Sequence, residues 1–311
     1  MSLAELQSLA KSRRRGGAKA ETPDNKVAAI FLSPWIIGAV CLTIGPIIAS
    51  LYLSFTNYNL LQPARFIGLQ NFARMLSDTR LHHSIEVTLL YVLFGVPGQL
   101  LAALGLAILL NRGMRGVAFY RSVLYIPSLL GSSVAIAVLW RLIFGARGLF
   151  NSFLGLFGIH STISWIGSPN TSLMTLILLH IWTFGSPMVI FLAGLRQIPT
   201  EYYEAASTDG ASSWQQFRAI TLPLLTPIIF FNLVLAVINT FAAFTQAYIV
   251  SGGTGQPADS MLFYTLYLYQ QGFSNFRMGY ASALAWLLIV IVGALTAINF
   301  WASKFWVHYE D

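Results

Sequence analysis

The residues in this chain that could do chemistry are few, and their spacing argues for contact rather than catalysis. There is no G-x-x-x-x-G-K-S/T loop, H-E-x-x-H pair or G-x-S-x-G elbow, and Cys41 is the only cysteine. Phosphate cradling, metal hydrolysis, acyl transfer and disulfide exchange therefore lack their groups. His82 and His83 read as a solvated pair and His308 belongs to the tail, which leaves His180 as the histidine inside an apolar stretch. Two other sets stand out. Trp182, Ser186, Asn232, Asn239, Thr240, Gln246 and Tyr248 join His180 as polar or aromatic groups in otherwise apolar runs. Polar groups facing lipid are costly, so these belong to the interior of a bundle, as interhelical hydrogen bonds or as the wall of a path. The second set is one polar connection, Ile198 to Pro223.

That connection reads as two short helices with punctuation. Thr200 is placed to cap the first after Pro199, with Glu201 and Glu204 in its first turn, where the helix dipole favours anions. Gly210 permits the left-handed backbone that ends it. Ser213 and Gln216 have the spacing of a capping box for the second helix, and Pro223 suits the start of the next apolar run. Such a helix-glycine-helix element is a compact knob fitted to a cleft in a partner protein. An ordinary interfacial loop fits the local physics equally well.

The elements that must position these residues follow from composition. Of 311 residues 56% are hydrophobic and 9% charged, and the mean hydropathy is +0.67. A soluble domain carries roughly a quarter charged residues, so lipid replaces water over most of this surface. Continuously apolar runs such as 284–297 exclude the alternation of a β-barrel. The expected fold is an all-α integral membrane protein with six transmembrane helices, near 28–53, 86–110, 117–143, 172–194, 222–250 and 279–303. A basic tail (1–27) precedes them and a short C-terminus (304–311) follows. Twelve Lys and Arg fall on the side of the tail and the 198–221 loop, and six on the other. The positive-inside rule then puts both termini in the cytoplasm. The net charge of +7 belongs to this asymmetry and calls for no nucleic acid. On the outer side, Leu69, Phe72, Met75 and Leu76 predict a short interfacial helix, with Asn71, Arg74 and Asp78 on its opposite arc. Cys41 reads as a small buried packing residue.

Glu204-Ala205-Ala206, three residues, Gly210, nine residues, Ile220, one residue and Leu222-Pro223 reproduce the EAA signature of binding-protein-dependent ABC importer permeases. The runs Phe66 to Phe72, Gly194 to Pro199, Tyr120 to Ser128, Leu222 to Pro227 and Gly279 to Ala283 resemble carbohydrate importers of the maltose and multiple-sugar type, first-permease-like. So do Trp140 with Gly148 and Asn151, and Gly252-Gly253, although the family's Gly-Gly-Pro reads Gly252-Gly253-Thr254 here. The resemblance implies the type I importer fold in a bacterial inner membrane. It implies a second permease in a heterodimer, two copies of a cytoplasmic ATPase that carry the ATP and Mg, and an extracytoplasmic sugar-binding protein. This chain itself would hold no cofactor and catalyse nothing. Glu204, Ala205, Ala206, Asp209, Gly210, Ile220, Leu222 and Pro223 would couple to the ATPase. Trp182 and Asn239, with His180, Thr240, Gln246 and Tyr248, would line the sugar path, where aromatic faces stack on sugar C–H groups and amides bond hydroxyls. An ABC permease for a glycerol phosphodiester is the nearest alternative, and an ion-gradient carrier a more distant one.

Overall fold

The computed structural model describes residues 25–113 and 116–308, with side chains from residue 30 onward. The expected basic tail up to Asp24, Arg115 and the last three residues fall outside them. All regular elements among the described residues are helices; an isolated bridge joins Thr56 to Phe66.

The chain divides into two units after Tyr52. In the first, α1 (Asn25–Ala39) passes through a π turn at Val40–Ile44 into α2 (Gly45–Ser54). Its apolar side chains face outward, with Phe31 81% and Leu42 80% exposed. A helix this apolar and uncovered is suited to lipid. Cys41, expected to be buried, is exposed, as are its neighbours Val40 and Leu42 on the same outward-facing π turn.

The second unit is built around α4 (Thr79–Asn111), preceded by α3 (Gln70–Ser77). Next come α5 (Val117–Leu130), α6 (Val134–Ile143) and α7 (Leu149–Gly155), then α8 (Pro169–Trp182) and α9 (Gly185–Leu195). Helices α10 (Thr200–Thr208), α11 (Ser213–Gln216), α12 (Leu222–Phe241), α13 (Thr245–Val250), α14 (Tyr264–Tyr269) and α15 (Met278–Ser303) complete it. Helix α4 packs chiefly on α9, α8 and α12. Fully buried Ala103 and Ala107 on α4 let the backbones approach, and Met188, Phe191 and Leu225 fill the seam. Nearer the start of α4, Leu81, Val87 and Tyr91 join Leu262, Phe263, Tyr264 and Leu284 in a second cluster.

Among the described residues four helical runs are long and apolar enough to cross a bilayer: Ile30–Ser54, Thr79–Asn111, Ser213–Phe241 and Met278–Ser303. The number is six if α5 with α6 and α8 with α9 each count as one bent span. The expected span at 117–143 is broken at Gly131-Ser132-Ser133, where α5 and α6 meet at 94°. Ser133 starts α6 anew by accepting from Ile136 N–H. At Gly131 a Cβ would sit 2.1 Å from Thr183 Cγ2, so only glycine lets the bend pack there. The expected run 222–250 stops at Phe241, and α13 starts separately at Thr245.

Helix α3 forms where the spacing predicts it, and it buries one residue from each arc. Asn71 and Met75 are buried, whereas Leu69 and Leu76 are exposed. The reason is a hydrogen-bond demand: Asn71 Nδ2 donates to the carbonyls of Ser54 and Thr56 at 2.8 and 2.9 Å, satisfying acceptors at and just past the end of α2.

Candidate functional site

Along α4, α8, α9 and α12 polar side chains converge on a cavity of about 540 Å³. Its lining mixes amides, hydroxyls and rings, among them Gln99, Ser128, His180, Thr183, Asn239, Thr240, Phe244 and Gln246, with aliphatic side chains such as Ile190 and Leu235, and among the described residues no Asp, Glu, Lys or Arg lines it. Most of these groups are already held. Gln99 Nε2 donates to Thr183 O and Oγ1 at 3.0 and 2.9 Å, and Ser128 Oγ donates to Thr183 O at 2.8 Å. Gln246 Nε2 donates to Gly131 O at 3.1 Å, so the amide steadies the α5/α6 bend. His180 Nε2 and Thr240 Oγ1 are 3.3 Å apart, and the imidazole rests on the Tyr91 ring.

Asn239 differs. Its side chain is exposed and makes no hydrogen bond among the described residues, so its amide has both donors and acceptor free for a solute. Of the path residues expected from sequence, His180, Asn239, Thr240 and Gln246 are brought together at this wall. Trp182 and Tyr248 are not among its lining residues. Trp182 packs on Trp140, 6.2 Å between rings, and Tyr248 packs on Phe244 and Tyr269. Sequence reasoning missed Gln99, Ser128 and Thr183. Gln99 and Ser128 are single polar residues in the apolar helices α4 and α5, Thr183 lies in the break after α8, and only the packing of these elements brings the three together.

The second assembly is the loop after α9. Helix α10 begins at Thr200 with Pro199 in the capping position and no side-chain cap, and only Glu201 lies in its first turn. Its end is a Schellman closure: Ala211 N–H donates to Ala206 O and Gly210 N–H to Ser207 O, with Gly210 at φ +79°. The capping box of α11 is one residue earlier than the spacing suggested. Ser212 Oγ accepts from Gln215 N–H, and Gln215 Oε1 accepts from Ser212 N–H. Gln216 is instead turned back, donating to Ser207 Oγ and Ala211 O, which ties α11 to α10 across the glycine.

Glu204, Ala205 and Asp209 are exposed on this knob, while Ala206 and Ile220 are half-buried. From Ser213 the chain runs as one helix to Phe241 through a π turn at Phe217–Thr221, with Leu222 N–H donating to Phe217 O. Leu222 and Pro223 follow at once. Pro223 lacks the N–H an α-helical turn needs, and the wider turn accommodates it. The knob is thereby the base of the helix that carries Asn232, Asn239 and Thr240. At 1.5 Å per residue, Ser213 and Asn239 are about 39 Å apart along one rod.

A third feature was not singled out from sequence. Asp78 caps α4 through Leu81 N–H and accepts from the hydroxyls of Tyr267 and Tyr280 at 2.5 and 2.6 Å. Burial pushes its carboxyl up, but those hydrogen bonds and the charge of Arg74 outweigh this and hold it below the usual range. Beside it Arg80 grips Asp259 through two 2.8 Å bonds.

Residues 87–305 match the family described as binding-protein-dependent transport system inner membrane component. The chain is 52% identical over 289 residues to the probable ABC transporter permease protein YesP of Bacillus subtilis (strain 168), covering 93% of this chain and 94% of that protein. It is 32% identical over 279 residues to the arabinooligosaccharides transport system permease protein AraP of the same organism, covering 87% and 86%. The fold superposes with a TM-score of 0.76, at 22% identity, on a chain of a bacterial alginate ABC transporter crystallised with an alginate pentasaccharide-bound periplasmic protein. That match covers 90% of this chain and 94% of the other.

Proposed function

The chain belongs to the binding-protein-dependent transport system inner membrane components, and from that premise we propose that it translocates a sugar or oligosaccharide delivered by an extracytoplasmic binding protein. It is the permease subunit of an ATP-driven importer. A second permease completes the path, and two copies of a cytoplasmic ATPase, carrying ATP and Mg, receive the knob around Glu204 and Asp209. The chain lies in a bacterial inner membrane with both termini cytoplasmic. The observation that carries the substrate reading is a cavity wall that mixes neutral amides, hydroxyls and rings with aliphatic side chains and leaves Asn239 unengaged. This donor-acceptor mixture suits a polyhydroxylated solute. A relative named for arabinooligosaccharides supports it. A phosphodiester is not favoured, since it calls for Arg or Lys and neither lines the cavity.

Coupling follows from the continuous rod. ATPase closure displaces the knob, the Schellman turn and the Gln216 bonds keep it from flexing, and Asn232, Asn239 and Thr240 move with it. Trp182 packs on Trp140 beside the wall-lining Thr183 in the chain. The test is uptake by the reconstituted transporter. Asn239→Ala is expected to assemble in normal yield and lose about 1 to 3 kcal/mol of solute interaction, roughly five- to 150-fold in uptake at limiting substrate. Trp182→Ala is expected to lower the yield of assembled complex instead. Normal uptake by Asn239→Ala would remove this wall from the path.

A further inference from the structure

Between α12 and α13 the helix breaks, and Phe244 in that break lines the polar cavity. Its ring lies 5.2 Å from that of Tyr248, one turn on along α13, and 5.2 Å from that of Tyr269 at the end of α14. Tyr248 and Tyr269 meet edge to face at 5.6 Å, and Tyr269 stacks on Phe273 at 5.1 Å. The four rings therefore make a continuous row that starts at the cavity wall. It ends at Phe273, 53% exposed, on the π turn Gln270–Ser274. Gln271 of that turn shares a cavity with Asp78 and Arg80 at the start of α4, so the row leads away from the knob.

Hydrogen bonds hold the row in place. Thr265 Oγ1 donates to Ala243 O and Gln270 Nε2 to Gly253 O, which pins α14 to both flanks of α13. Gly253 has φ +80°, and a Cβ there would sit 3.1 Å from Tyr248 Cε2, so this turn closes against the edge of that ring. Packing does not use the rings up. Phe244, Tyr248 and Tyr269 are half-buried, and the hydroxyls of Tyr248 and Tyr269 make no hydrogen bond among the described residues. Those of Tyr264, Tyr267 and Tyr280 on α14 and α15 are all engaged, by Leu284 O and by Asp78.

We propose that Phe244, Tyr248, Tyr269 and Phe273 form a second sugar subsite, on the side of the cavity away from the knob. It carries the further units of an oligosaccharide whose leading units lie beside Asn239. The rings take the C–H surfaces of the sugar, and the two free phenols exchange hydrogen bonds with its hydroxyls. The cavity that the row continues has no charged lining among the described residues, which suits a neutral chain. Its volume of about 540 Å³ is that of a site for a compact ligand, so a longer chain has to extend past Phe244. The inference rests on the permease reading above and deepens it: the substrate is an oligosaccharide and not a single sugar.

The test is uptake by the reconstituted transporter, with its binding protein, of neutral arabinan, glucan, xylan and galactan fragments sorted by length from one to about five units. Each variant's uptake at limiting substrate is divided by that of the unmodified complex at the same length, which cancels the preference of the binding protein. Tyr248→Leu combined with Tyr269→Leu keeps apolar bulk and removes ring faces and hydroxyls. Its relative uptake is expected to drop by no more than about twofold for a single sugar and by about tenfold or more for the longest fragment. Phe273→Ala changes an exposed rim position and is expected to repeat the trend more weakly, about two- to threefold at the longest length. It decides the question if the paired variant assembles poorly. A loss that is equal at every length, or no loss, overturns the subsite and leaves the permease reading standing. Import of single sugars alone by the unmodified complex has the same consequence. Import of no fragment of any length overturns the permease reading and this inference together.

Discussion

Gly210 holds φ at +79°, and a Cβ built on it meets nothing within 4 Å. Its constraint is therefore conformational and not steric, which separates substitutions by their tolerance of the left-handed region. Gly210→Val is expected to reach the membrane but lose ATP-driven uptake, because about 1 to 2 kcal/mol of strain opens the Schellman closure. Gly210→Asn, which visits that region readily, is expected to keep most of it. Equal uptake by the two variants would sink the argument. Asp78 gives the second residue-scale prediction. Its folded pKa is depressed, so the stability it contributes is fully present above the unfolded value of about 3.9 and is lost as pH falls through the folded one. Asp78→Asn is expected to lower stability at neutral pH by about 1 to 3 kcal/mol, since only one acceptor oxygen then serves the helix cap and two tyrosines. Melting temperatures of the purified complex, taken from neutral pH downward, should stay apart above about pH 3.9 and draw toward those of the unmodified protein only at more acid pH. Gly210 was legible in the sequence because a helix stop is a local event. Asp78 was not, because its tyrosine partners are 189 and 202 residues away.

At the scale of elements, the π turn at Phe217–Thr221 sets the register between the knob and the helix it drives. A π turn holds one more residue than an α turn, so removing its cause lets the helix close and rotates α11 by about 100° relative to α12. Pro223→Ala is therefore expected to leave expression intact and uncouple ATP hydrolysis from uptake. The signature is ATPase activity that no longer responds to the loaded binding protein. Retained stimulation would mean that the turn is held by Tyr203, whose hydroxyl is 2.9 Å from Thr221 Oγ1, and not by the proline. Helices existed where hydrophobic runs predicted them, since run length and composition are properties of one segment. The breaks were harder to read. The 94° bend at Gly131 depends on Thr183 packing against it and on Gln246 holding its carbonyl, and both lie far along the chain. The one-residue slip of the capping box has a similar origin. Ser212–Gln215 and Ser213–Gln216 fit the motif equally, and Gln216 is drawn away by Ser207 and Ala211.

Within the unit that follows Tyr52, α4 runs between two polar ends of the bundle. One end, at Asn111 and Arg112, meets Tyr203, Trp214 and Phe217 around a cleft of about 620 Å³. The other, at Asp78 and Arg80, meets Asp259, Tyr267 and Arg277. Helix α4 has 33 residues, about 50 Å of helix, so the two ends lie on opposite sides of a hydrocarbon core about 30 Å thick. The excess of Lys and Arg on the knob side is the ground on which that side is proposed to be cytoplasmic. With Cys41 replaced by serine, single cysteines at Arg74 and Arg147 should react in intact cells with a thiol reagent that does not cross the membrane. A cysteine at Ser207, exposed on the knob, should react only after the membrane is opened. Inverted labelling would put the knob outside, where no ATP is available, and would remove the coupling role of Glu204 to Gly210. The cavity wall would still stand, but whatever solute it held would then be moved by a different source of energy.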